Sequence, residues 1–131
     1  MKERYFYNHR LHKRLTEDLS DFVLEEIKKQ IFEKVNGENI KELIFDFEDV
    51  NVMDSFTYNS LDRITSELKL MGVEVVWVGL KPCLIAGLIE LEVEINPLIH
   101  VEKNLNMGNL YLDQIGNERN KHARSQRGKS S

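Results

Sequence analysis

The sequence predicts an α/β domain built on a mixed sheet, parallel in its middle and covered by helices. Three observations lead there. Two short runs, "ELIFDF" (42–47) and "VEVVWVG" (73–79), are almost wholly apolar, as strands buried on both faces are. Between and around them lie amphipathic segments at helical spacing, and the connections are short.

In order along the chain, "ERYFYN" is rich in aromatic residues and reads as a strand, with Asn8 and His9 as a turn and "RLHKRL" as its return strand. The expectation is a hairpin at the N-terminal edge of the sheet. From Ser20 the pattern changes: Phe22, Val23, Leu24, Ile27, Ile31, Phe32 and Val35 recur among Glu, Lys and Gln, the stripe of an amphipathic helix. Ser20 or Asp21 would cap it and "NGEN" (36–39) would end it.

"ELIFDF" follows as a buried strand, then the loop "EDVNVM". A second helix carries Leu61, Ile64, Leu68 and Met71 at steps of three, four and three, and stops at Gly72. "VEVVWVG" is the strongest strand signal, β-branched and aromatic. Pro82 suits the first turn of a third helix, "KPCLIAGLIELEV". "LIHVEK" reads as a last strand and "MGNLYLDQI" as a last short helix, so the helices number about four. Residues 1–116 form the domain, and the polar segment 117–131 reads as a disordered basic tail.

Charge is unevenly spread. The net charge is -4, but the last fifteen residues hold five basic side chains and one acid. The body therefore has 13 basic against 21 acidic residues, a net -8. An acidic body argues against a nucleic-acid partner. The single cysteine, Cys83, excludes an intramolecular disulfide, and no apolar run is long enough to cross a bilayer. The expectation is a cytoplasmic chain with no membrane partner.

The junction between the loop and the second helix draws attention. A Ser or Asp at that position is an N-cap type, accepting from an otherwise unpaired backbone N–H. Ser55 also stands at the positive end of a helix dipole, where a phosphate would meet free N–H groups. Phosphorylation would add close to two negative charges beside Asp54, on a surface already lined by Glu48 and Asp49. Cap and switch are compatible roles.

Other chemistry finds less support. Asp46 and Asp54 could hold Mg²⁺ or accept a phosphoryl group, but a receiver domain needs an acidic pair after its first strand, and Asn8, His9 and Arg10 stand there. His9, His12, His100 and His122 are scattered and complete no metal-ligand set. Cys83 reads as a core residue and Trp77 likewise. There is no Walker loop, no G-x-G-x-x-G fingerprint and no nucleophile–base pair, so neither an enzyme nor a bound cofactor is expected.

The segment "ELIFDFEDVNVMDSF" followed by "LKLMGVEVVWVGLKPCLIAGLIEL" resembles the STAS domain, the fold of bacterial anti-sigma-factor antagonists. It is most similar to the single-domain scaffold proteins of stressosomes. The match rests on an apolar-Asp-apolar strand leading to Met-Asp-Ser-Phe, a helix ending Lys-Leu-Met-Gly, and a valine-rich strand leading to Gly-Leu-Lys-Pro. It implies helices packed mainly on one face of a mixed sheet. It also implies a non-catalytic regulator phosphorylated at Ser55, with Thr57 as second candidate.

The partner-binding face would then comprise Glu48, Asp49, Asp54, Ser55, Phe56, Lys81 and Pro82. The implied partners are a serine kinase of the anti-sigma type, a paralogous STAS protein carrying a sensor domain, and further copies in a homo- or hetero-oligomer. Phe56 and Thr57 after Ser55 favour the stressosome branch over the monomeric one, which reads Asp-Ser-Ser/Thr-Gly. Glu92 stands where the family commonly has glycine. An alternative is a STAS module that binds a ligand or partner through the apolar face of Leu84 to Leu91 and is never modified.

Overall fold

The computed structural model describes residues 9–129. Strands and helices alternate: β1 (Arg10–Arg14), α1 (Asp21–Glu38), β2 (Glu42–Asp46), α2 (Ser55–Leu70), β3 (Glu74–Val78), α3 (Pro82–Glu90), β4 (His100–Glu102) and α4 (Leu105–Lys129). The strands lie in the order β1-β2-β3-β4, and every pairing between them is parallel. The sheet expected to be mixed is thus parallel throughout the described residues. The outer strand of the expected hairpin, within residues 1–8, lies outside them.

Simple strand order decides where the helices go. A right-handed crossover from each strand to its next neighbour carries every connecting helix to the same face. So α1, α2 and α3 share one side of the sheet. Alternation along the strands then assigns the side chains. Leu43 and Phe45 of β2 and Val75 and Trp77 of β3 join the large core with Leu24, Ile27, Ile31, Leu61, Leu68, Leu84 and Leu88. Ile44, Val76 and Val78 point the other way, where Leu112 of α4 covers them. A side chain added at Gly108 would place its Cβ 2.6 Å from Val78 Cγ1, so α4 lies against β3 at a distance that only glycine permits.

Ends of elements follow local chemistry. Ser20 caps α1, its hydroxyl accepting from Val23 N. Asn39 ends that helix in the left-handed region at φ 55°. Pro82 opens α3 as its first residue. Glu92, just past α3, also adopts a positive φ of 58°, in the left-handed region that favours glycine.

Two expectations are corrected. The last helix does not stop near Ile115 but runs to Lys129, through the segment read as a disordered tail. Gly116 fails to end it, because Glu, Arg, Lys, Ala and Gln beyond it are good helix formers and no proline intervenes. Cys83, read as core, is exposed, because in the first turn of α3 it is Leu84, and not Cys83, that turns toward the sheet.

Candidate functional site

The carboxyl ends of β1, β2 and β3 and the first turns of α2 and α3 meet along one rim of the sheet, the side on which open parallel sheets place their sites. Asp46 ends β2 and is buried at 4% exposure. One of its oxygens accepts from the Glu48 backbone N–H at 3.0 Å; the other lies 2.8 Å from His12 Nε2. That carboxylate turns the chain out of the strand and ties it to β1.

The 47–54 loop and the loop after β3 nearly touch. Gly79 has φ +75°, and a Cβ there would sit 3.0 Å from Glu48 Oε2 and 3.2 Å from Glu48 N. Only glycine satisfies both the dihedral angle and the contact. Further out, Arg14 forks onto Asp49 with bonds of 2.7 and 3.0 Å. These bonds draw the Asp49 carboxyl below its ordinary pKa, with a smaller contribution from the charge of Lys81. Lys81 Nζ donates to Asn51 Oδ1 at 2.9 Å, and Asn51 Nδ2 donates in turn to Glu17. Asn51 thereby joins three rim loops.

At the start of α2 the two cap candidates separate. Asp54 is the N-cap, its Oδ1 accepting from Thr57 N at 2.7 Å. Hydrogen bonding from Thr57, chiefly from its backbone N–H, lowers the Asp54 pKa. Ser55 is the first helical residue and is exposed. It is relieved of capping, and the early N–H groups of the helix lie around it. Thr57, the second candidate, is buried at 6% exposure, with its hydroxyl donating to the Leu19 carbonyl at 3.4 Å.

Around Ser55 the surface mixes acid and apolar groups. Glu48, Asp49, Asp54 and Pro82 are exposed, Lys81 half-buried; Phe56 is 54% and Val52 81% exposed. All seven residues of the expected partner-binding face belong to the rim loops or to the first turns of α2 and α3. Among the described residues, no group of His, Cys, Asp and Glu could hold a metal ion.

Arg14 and Asn51 were not singled out in the sequence, and His12 was weighed there only as one of four scattered histidines. Their roles depend on the parallel register that places Arg14 opposite Asp46, and nothing in the local pattern announces it. The apolar face of α3 proves divided: Leu84 and Leu88 are buried, whereas Ile89 and Leu91 are 62% and 56% exposed.

A parallel sheet with three helices on one face, and a capped helix starting at the rim, defines an open α/β module. The STAS domain family matches residues 7–105, and the chain belongs to it. No curated protein sequence matches. Among solved structures it is similar to a serine-to-glutamate variant of RsbS from Moorella thermoacetica, at 24% identity and TM-score 0.69, covering 81% of this chain and 89% of that one. A chain from the molecular architecture of the stressosome, described as a signal integration and transduction hub, is 25% identical with TM-score 0.68 over 80% of this chain and 90% of its own. The anti-sigma factor antagonist SpoIIAA, in its unphosphorylated form, matches at 15% identity and TM-score 0.60 over 83% and 90%. These neighbours share the fold of this chain. No helix among the described residues is long and apolar enough to cross a membrane.

Proposed function

We propose that this protein is a non-catalytic phospho-switch and scaffold that captures a serine kinase of the anti-sigma type on its rim and is released by phosphorylation at Ser55. One observation carries the reading: Ser55 is exposed in the first turn of α2 while Asp54 alone performs the cap. Its hydroxyl can therefore be modified without unfastening the helix. The kinase transfers the γ-phosphoryl group of ATP to Ser55 Oγ; the hydroxyl proton is lost and ADP leaves. The phosphate gains N–H donors at the helix start. It also adds close to two negative charges beside Asp54, Asp49 and Glu48, which penalises any partner docked against the exposed Phe56 and Val52.

The similarity to a stressosome chain supports assembly with a sensor-bearing STAS paralogue in an oligomer. Kinase and ATP should label the wild type at Ser55, as mapped by mass spectrometry. Labelling that persists undiminished in Ser55→Ala overturns the assignment. The buried Thr57 should not take over. Ser55→Asp should weaken kinase capture by about tenfold, and unchanged capture would contradict release by charge. Gel filtration with the paralogue separates a scaffold, which co-elutes in a large assembly, from an unmodified binding module, which stays alone.

A further inference from the structure

On the three-helix side, between α3, the start of α2 and the 93–101 segment, lies an apolar cavity of about 140 Å³. Met53, Tyr58, Trp77, Leu88 and Ile99 form its wall. Ile95 and Val101, 38% and 46% exposed, also line it and mark its mouth.

The wall offers water too few partners: the lining has at most one side-chain donor to spare, the Tyr58 hydroxyl proton, short of the two to four bonds an internal water needs. Its two polar side chains each already hold a bond: Tyr58 Oη accepts from Asn96 N at 2.7 Å, and Trp77 Nε1 donates its one proton to Thr65 Oγ1 at 3.0 Å. No charged side chain takes part in the lining. An internal water needs two to four polar partners, whereas an apolar cavity of roughly 150 Å³ stays dry and admits benzene.

We propose that this cavity is a binding site for a small uncharged apolar molecule about the size of one aromatic ring, and that its occupancy is transmitted to the rim. Volume sets the size of the ligand and the engaged polar groups set its chemistry. Transmission follows from the chain. Met53 immediately precedes the capping Asp54 and lies two residues before Ser55, and Leu80, also in the wall, immediately precedes Lys81. A ligand packed against both side chains restrains both rim loops together. Binding stands independently of the phospho-switch; only its regulatory consequence rests on that reading.

Benzene is the probe, titrated into methyl- and amide-labelled protein and followed by NMR. The expected result is a saturable shift of the Ile85, Leu88 and Ile99 methyls and of the Asp54 and Ser55 amides. The methyls of Ile44 and Val76, on the other face, should stay still. At free benzene ten times Kd, the folded state should be favoured about elevenfold in urea unfolding. Benzoate, with the same ring and a charge, should not bind, and Val101→Trp should close the mouth while leaving the fold intact.

No saturable shift up to the solubility of benzene overturns the site. So do equal shifts on both faces of the sheet, or equal binding of benzoate. If Val101→Trp fails to fold, the wild-type shift pattern and the benzoate comparison decide alone. Methyl shifts without movement of the Asp54 and Ser55 amides overturn the transmission to the rim, whatever the kinase experiments show.

Discussion

On one face of the sheet three helices share the cover, and an aromatic group fills the middle: Trp77 with Phe47 at 4.8 Å, Tyr58 at 5.8 Å and Phe45 at 6.3 Å between ring centroids. On the other face, among the described residues, α4 alone covers Ile44, Val76 and Val78, through the buried Leu112 with Leu105 and Tyr111 partly buried beside it. Both helix starts of the candidate site belong to the first face, because crossovers leave the sheet at the carboxyl ends of its strands. The rim is therefore braced by the large core. The packing of α4 lies on the opposite face, against Val78 at the carboxyl end of β3. The two faces can thus be perturbed one at a time.

The largest expected effect tests that asymmetry directly. Leu61 and Leu112 are both fully buried. Leu61→Ala leaves a cavity walled by several elements that cannot all close on it, and should cost about 3 kcal/mol. Leu112→Ala lies under a single helix that can settle inward, and should cost nearer ~2 kcal/mol. Urea unfolding of the two variants measures the difference; equal or reversed costs would remove it. A smaller effect comes from overpacking on the α4 face. Gly108→Ala forces its Cβ onto Val78 Cγ1 and should cost about 1–2 kcal/mol. Val78→Ala should relieve most of the clash in a double-mutant cycle. The Ser55 amide resonance should not move in Gly108→Ala, and a shift there would show that the faces are coupled.

Much of this arrangement was legible in the sequence, for reasons that differ by element. Helices α1 and α2 announce themselves by apolar spacing, and β2 and β3 by runs too apolar for any exposed strand. Those same runs conceal the faces: in "LIFD" and "VVWV" both sides are apolar, so alternation cannot say which residues meet three helices and which meet one. Strand β1 alternates poorly because its polar side chains are held by partners rather than by water. Arg10 bonds Glu42 at 3.0 Å and, on α4, Asn109 at 3.0 Å and Asp113 at 2.9 Å. Those partners lie 32, 99 and 103 residues away, beyond any local pattern. At the rim, Asp54 and Ser55 are both cap-forming types, and the sequence could not separate them by one position. The backbone does: Asp54 is extended at φ -87° and ψ 172°, and Ser55 is already helical.

The smallest expected effect contrasts the caps of the two faces. On the three-helix side Asp54 caps α2 with a carboxylate; on the other side Asn104 caps α4 with an amide oxygen, accepting from Met107 N at 2.9 Å. Each replacement by alanine should cost about 1 kcal/mol near neutrality, since each removes one acceptor from an unpaired N–H. The two should part company in acid. The Thr57 bond holds the Asp54 pKa below its ordinary value in the folded state, so folding favours the ionised form. This contribution is present in full above the unfolded carboxyl pKa of about 3.9, and is lost as pH falls through the lower, folded value. The cost of Asp54→Ala should therefore shrink as urea unfolding is repeated from about pH 7 toward pH 3, while that of Asn104→Ala, which has no proton to gain, stays level. Asp54→Asn should keep most of the cap and remove the pH dependence. If both alanine costs instead fall together in acid, the loss lies in the body of the protein, and the charge on Asp54 is not what fastens the helix that carries Ser55.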